Sequence, residues 1–427
     1  MTFLVALLLT VGSAKVQLHA CDAAAYPGAD AGAKINAAEA DPNCTAVDAT
    51  NLVAPVSAAN TIQVMKVLTL GHYTLVVSAN PGINIGKSAC LTGRGREATI
   101  ISTNSPTADV IYTNPGNNWA CASGFTIESS VPRTAGAGMH IRAGHGAFRD
   151  ILIRPVWDGI LIDEPRSSDL NYFENIMITG SPAGTDGGVW NCGVLHGGVQ
   201  TATVSGNTFH NLVINADPTS FKDAMMCIAD GSDGLAISDS QFVKGHADSV
   251  ALHLESIAGG NPPEWIKCTA CFFEGGLTAN GIVVDSALTF DCLNCYVGTS
   301  LNGIVLNGGT AFHWDGGQIV NNQQNGIRVF NGIDTRIVNA RIGNNSLSEN
   351  NAYDDIAIGA NIKNFDIRGN TFAPVVKSAN RPRWNVFIAG GSSNNYSVLD
   401  NIMPGSAATG ALKDGGSVKA RKRVQNF

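Results

Sequence analysis

Asn280-Gly-Ile-Val-Val284, Asn302-Gly-Ile-Val-Leu306 and Asn325-Gly-Ile-Arg-Val329 are copies of one motif: a turn residue, a glycine, then an apolar-x-apolar strand. Asp158-Gly-Ile-Leu-Ile162 is a fourth copy, and Asn191-Cys-Gly-Val-Leu195, Asp355-Ile-Ala-Ile358 and Asn385-Val-Phe-Ile388 are weaker ones. Clear neighbouring copies lie a little over twenty residues apart. A second strand follows, as in Phe148-Arg-Asp-Ile-Leu-Ile153, Phe173-Glu-Asn-Ile-Met-Ile178 and Phe209-His-Asn-Leu-Val-Ile214, apolar at its first and last positions. Its third residue is usually Asn or Asp: Asp150, Asn175, Asn211, Asp239, Asn294, Asn339, Asp400. These residues tolerate left-handed backbone and hydrogen-bond locally, so the column marks a tight corner and is structural.

A strand buries alternate side chains, and one short coil cannot form a core alone. A stack of coils can. The chain therefore reads as all-β, a right-handed parallel β-helix solenoid of about eleven coils. Residues 1–20 read as a signal peptide, 21–80 as an N-terminal cap with the first strands, 81–405 as the solenoid and 406–427 as a C-terminal tail. Asp30 followed by Ala31-Gly-Ala-Lys-Ile-Asn-Ala-Ala-Glu-Ala40 predicts a short N-capped helix that lids the first coil. Longer turns are expected at Gly180–Gly188, Asp217–Asp223, Ser256–Glu264, Ser346–Asp354 and Val375–Arg383.

Composition agrees. Among 427 residues, 48 glycines, 14% charged and 7% aromatic residues suit short strands and many turns, not a helical protein. The net charge of -7 argues against a nucleic-acid surface, and the basic Lys419–Arg423 run reads as a solvated tail. The apolar run before Ala14 is too short to span a bilayer and fits a signal-peptide core, so we expect a secreted or periplasmic protein with no transmembrane segment.

In an exported chain the ten cysteines tend to pair. Cys268-x-x-Cys271 and Cys292-x-x-Cys295 have the look of a zinc site. The repeat accounts for them better: the offset is the same, so Cys268 lies over Cys292 and Cys271 over Cys295, as disulfides or as stacked core thiols. Cys192 and Cys227 fall one coil apart in the same way. Cys21 with Cys44, and Cys90 with Cys121, are the remaining pairs.

Aligning the coils places acids and histidines in one column, outward at the end of the strand after each motif. It holds Arg142, Asp163 with Glu164, His196, Asp230 with Asp233, His253 with Glu255, and Asp285, with Asn307 and Phe330 below. Asp163, Glu164, Asp230, Glu255 and Asp285 are the acid/base candidates. Arg142, His196, Asp233, His253, Trp157 and Trp190 are the substrate-binding candidates. Polar turns produce such a column without any chemistry, and His196 can equally point inward. Trp314 takes the inward position equivalent to Cys292 and reads as core.

Tyr26-Pro-Gly-Ala-Asp-Ala-Gly-Ala-Lys-Ile-Asn36, Thr45-Ala-Val-Asp-Ala49, Gly124-Phe-Thr-Ile-Glu128, Arg133-Thr-Ala-Gly-Ala137 and Asp414-Gly-Gly416 resemble the pectate-lyase-like β-helix superfamily, over most of residues 24–416. That group includes polysaccharide lyases and hydrolases, epimerases and phage tailspike-like proteins. The resemblance implies a polysaccharide or cell-surface glycan partner, a monomer or homotrimer, and a virion-associated location if the chain is phage-derived. It implies no certain cofactor, with Ca2+ if the protein is a lyase. Polygalacturonase signatures do not transfer: Gly144-His-Gly146 and Asp354-Asp355 occur in reversed order, without the other two motifs. The function expected is a polysaccharide lyase or glycoside hydrolase acting on a complex or acidic glycan. The alternative is a non-catalytic glycan-binding or adhesion protein, tailspike-like receptor binders included.

Overall fold

Each apolar-x-apolar motif lies on a parallel strand in the computed structural model. It describes residues 19–154, 157–163, 168–179, 190–198, 203–216, 221–244, 248–256, 260–373, 379–391, 393, 395–416 and 422–426. Fourteen such strands, from Ile62–Val64 through Ile282–Val284 to Gly410–Asp414, form one sheet, here called the front sheet. Successive members pair in register, for example Ile282 with Ile304 and Ile304 with Ile327. A second sheet of 26 strands closes the other sides of the coils. The solenoid has about fourteen turns, against the eleven counted in sequence. End turns such as Ile62–Val64 and Gly410–Asp414 lack the Asn-Gly motif, so their strands are not legible as repeats.

Alternation sets the inside and the outside. Ile282 and Val284 are buried while Val283 between them is half-exposed, and Ile327, Arg328 and Val329 repeat the pattern. Identical residues then stack along the axis. Phe148, Phe173 and Phe209 are wholly buried, with ring centroids 5.1 and 4.5 Å apart. Trp314 sits in register with Cys292, fully buried, its indole N–H donating to the Gly316 carbonyl over 2.8 Å.

The corner column has the backbone its residue types require. Asp150, Asn175, Asn211, Asp239, Asn294, Asn339 and Asp400 all have φ between 51° and 56°. Their side chains form an exterior ladder, with Asn175 Nδ2 donating to Asp150 at 3.1 Å and Asn211 Nδ2 to Asn175 at 2.6 Å.

The capping helix spans Ala31–Ala40, with the Asp30 carboxylate accepting from the Ala33 N–H. It closes the open edge of the first front strand with side chains. Asn36 donates to Thr61 O and accepts from Gln63 N, and Glu39 accepts from Met65 N. An unpaired strand edge is thereby covered.

Three disulfides join Cys21 to Cys44, Cys90 to Cys121 and Cys192 to Cys227. Cys268 is in register with Cys292, as the repeat requires, and the four cysteines of the two C-x-x-C motifs are buried together as thiols. Most of the expected signal peptide, the Gly180–Gly188 turn and parts of three other long turns and of the tail lie outside the described residues. Among the described residues no helix is long and apolar enough to cross a membrane.

Candidate functional site

Two histidines stand on the outer face of the front sheet, each in the middle of a strand between two buried residues: Met139-His-Ile141 and Leu252-His-Leu254. Each is clamped by carboxylates from the coils on either side. His140 meets Asp109 through Nδ1 at 2.8 Å and Asp163 through Nε2 at 2.9 Å. His253 meets Asp223 and Asp285 in the same way, both at 2.8 Å. Burial opposes a charged ring, but two carboxylate hydrogen bonds outweigh it, and both histidines are pushed up to about 9. At neutral pH both are imidazoliums.

These pKa values set a stability window. Each histidine binds its proton more tightly folded than unfolded, where its pKa is about 6.5. The stabilisation is therefore complete below about pH 6.5 and is lost as pH rises through about 9. We expect the melting temperature to fall between pH 7 and pH 10, and the fall to be smaller in the His140→Gln/His253→Gln double variant. Equal falls in the two proteins would contradict the assignment.

The residues that follow these strands form one line. Backbone bonds from Gly197 to Ile162, Ala229 to His196, Glu255 to Ile228, Asp285 to Leu254, Asn307 to Val284 and Phe330 to Leu306 carry it from coil to coil. Arg142 and Asp163 start it, with Arg142 Nε 3.6 Å from the Asp163 carboxylate. Small residues, Gly197 and Ala229, separate Asp163 from Glu255. Glu255 and Asp285 then occupy adjacent coils, whose strands lie about 4.8 Å apart.

Their environments drive these two carboxyls in opposite directions. Burial, together with the Asp223 charge, raises the Glu255 pKa. Asp285 is lowered: burial works against this, but hydrogen bonds from Asn307 and His253 prevail. Glu255 is the better-protonated acid and Asp285 the anion. Among the described residues the His140 cluster has no accessible counterpart of Glu255. Asp163 is lowered by His140 and Arg142 against its burial, and Asp158, raised by burial to about 6, is spent on Asn191 and the Cys192 N–H.

Asp223, His253 and Glu255 place one ligand atom each within 4.8 Å of one another. The set does not fit calcium, which takes six to eight oxygens. Both His253 nitrogens are engaged by carboxylates, so the ring offers no lone pair to any ion.

Of the sequence candidates, Arg142, Asp163, His253, Glu255 and Asp285 share the outer face of the front sheet. His196 does not reach it. The ring is fully buried, bonded to Ser232 Oγ at 2.9 Å and to Asn207 at 3.0 Å, and burial holds it at about 3, so it is a neutral core residue. Asp230 is likewise fully buried. Asp233 belongs to a separate two-strand ladder with Val204–Ser205. Trp157 is half-buried beneath the Lys222 ammonium. Glu164 and the Trp190 side chain lie outside the described residues. Asp354 is forked onto Arg383 and Asp355 is buried between Asn345 and Asn385, so this Asp-Asp pair is structural.

Sequence reading missed Asp109, His140 and Asp223, and also a pocket of about 290 Å³ further along the same face. Arg328, Phe330, Tyr353, Arg383 and Phe387 line it. The Arg328 guanidinium lies 4.0 Å over Phe330, and Arg383 lies 4.8 Å over Phe387. A charged residue midway along an apolar-x-apolar motif, His140 or Arg328, was the available signal.

Comparison with known proteins supplies the frame. No family model matches the chain, and no curated protein matches it. Among solved structures, tailspike protein 3 of bacteriophage CBA120 superposes with TM-score 0.60 at 12% identity, covering 84% of this chain and 56% of the tailspike. This chain is a right-handed parallel β-helix. The β-helix spans little more than half of that tailspike, and at such identity the likeness is one of fold. Weaker likenesses are the A-module of the Azotobacter vinelandii mannuronan C-5 epimerase AlgE6 (TM-score 0.42, 13% identity, 95% of this chain and 97% of that one) and a GH87 α-1,3-glucanase catalytic domain (0.39, 12%, 96% and 69%).

Proposed function

We propose that this β-helix is a polysaccharide-active protein of extracellular or virion-associated setting, and that it hydrolyses glycosidic bonds of a complex or acidic glycan along its front sheet. The observation that carries the reading is the pairing of Glu255, whose pKa is raised by burial and the Asp223 charge, with Asp285, whose pKa is lowered by Asn307 and His253, on adjacent coils around His253. Glycoside hydrolysis uses such a pair: one carboxyl protonates the leaving oxygen while the other, as its anion, activates water or attacks the anomeric carbon. Glu255 takes the first role and Asp285 the second. His253, fixed between Asp223 and Asp285, orients the anion. The Arg–aromatic pocket lies roughly 10 Å beyond Asp285 along the column, two coil spacings away, and offers ring faces and a guanidinium to a neighbouring sugar. The three disulfides suit an oxidising setting.

The test is incubation of the full chain with a panel of alginate, polygalacturonate, α-1,3-glucan and bacterial O-polysaccharide, reading new reducing ends and unsaturated-uronate absorbance in parallel. Reducing ends without that absorbance are expected. Unsaturated products would make the protein a lyase. Retention on a glycan affinity gel with no new ends would leave the binding-protein alternative, which the pocket by itself also satisfies.

A further inference from the structure

Four buried sulfurs remain outside this account. Cys268 and Cys271 flank one left-handed corner residue, Ala270 (φ 52°), and Cys292 and Cys295 flank the next, Asn294 (φ 53°). Other coils fill the same two positions with carbon, as Phe173 with Ile176 and Phe209 with Leu212. The thiols close into a ring. Cys268 touches Cys271 and Cys292, and Cys295 touches Cys271 and Cys292. All four are at most 2% exposed.

The spacing C-x2-C-x20-C-x2-C is that of a zinc site, but the surroundings are not. Zinc needs four thiolates about 2.3 Å from the metal, a dianionic cluster in the core. Here carbonyl oxygens face the sulfurs: Ile237 and Thr269 at 3.5 Å from Cys271 Sγ, and Leu293 at 3.6 Å from Cys295 Sγ. Each accepts from a thiol S–H, which a zinc-bound thiolate lacks. Burial, with its thiol neighbours, pushes the Cys292 thiol well up, whereas hydrogen bonds from Cys268 and Cys295 push Cys271 down, so the four sulfurs do not share the ionised state that zinc needs. The Cys292 and Cys295 sulfurs are 2.8 Å apart. Even carbon atoms, which are smaller, rest at about 3.5–4.0 Å. That pair is closer than two unbonded sulfurs pack and closer than two ligands of one zinc ion.

We propose that Cys292 with Cys295, and Cys268 with Cys271, close as two further disulfides, one across each corner, so that all ten cysteines end in five bridges. This pairing runs within each coil, whereas the repeat read from sequence offered bridges from coil to coil or stacked thiols. Each closure removes two protons and two electrons. A thiolate attacks the disulfide of an oxidising thiol–disulfide oxidoreductase, forming a mixed disulfide; the second thiol displaces it, and the oxidoreductase leaves as its dithiol. The three existing bridges require the same class of oxidant. The corner bridges keep the core neutral and remove four thiols that would otherwise exchange with those bridges as the coils stack.

The experiment uses the full chain secreted from an oxidising host. The denatured, unreduced protein is treated with iodoacetamide and weighed intact, and metal is measured on the native protein. We expect no alkyl group and no stoichiometric zinc. Digestion after Glu274 then separates the two motifs, because Glu274 lies between Cys271 and Cys292. Corner bridges give two unlinked peptides, each two hydrogens lighter than its reduced form. Cys292→Ser should leave Cys295 alone alkylated. Four alkyl groups, bound zinc, or peptides that stay linked until reduction would each overturn the proposal.

Discussion

Glu255→Gln should lower glycan turnover by about 10²–10⁴-fold, the loss usual when a positioned general acid is removed, and leave the melting curve in place. The amide keeps the shape of a half-buried carboxyl whose ionised form burial already disfavours, so folding loses little. What it loses is the transferable proton. Turnover by the wild type should fall as pH rises through the Glu255 pKa, and that basic limb should vanish in the variant. Asp285→Asn should cost a similar factor by removing the anion. It should also lower the His253 pKa, which proton NMR would read independently of turnover. Asp163→Asn, three coils from Glu255 and four from Asp285, should leave kcat unchanged. Wild-type kcat in Glu255→Gln would remove the acid assignment. Lost turnover in Asp163→Asn alone would move the site to the His140 cluster.

The second large effect belongs to the core. Phe173 is stacked between Phe148 and Phe209 and has no exposed surface. Phe173→Ala removes contacts with both neighbours and opens a cavity that rigid coils on either side cannot collapse into. A loss of about 3–5 kcal/mol is expected, read as a shift in the denaturant midpoint. The next residue, Glu174, points outward and pairs with Arg149 at 3.1 Å on the surface. Glu174→Ala should change stability by no more than about 0.5 kcal/mol. Comparable losses in the two variants would contradict the alternation on which the solenoid rests.

The two histidines of the proposed column show where sequence reading stopped. His196 closes an apolar run, Val194-Leu-His196, whereas His253 sits inside one, Leu252-His-Leu254. In register His196 pairs with Ile228 and His253 with Cys227, so they stand in neighbouring columns. One residue of register turns a strand side chain from one face to the other. His196 enters the core and His253 the outer face of the front sheet. The motif spacing, blurred here by long turns, could not settle that parity.

Fold, corner geometry and the stacking of Cys268 on Cys292 were legible in the chain because they arise from short-range rules. Alternation in a strand and left-handed tolerance at Asn and Asp act within a few residues, and repetition multiplies them into a solenoid. Which acids meet which histidine was settled only by the tertiary structure. Asp223 and Asp285 reach His253 from 30 and 32 residues away, and Asp109 and Asp163 reach His140 from 31 and 23. Those separations depend on turn insertions of varying length, and coil-to-coil stacking alone converts them into contacts.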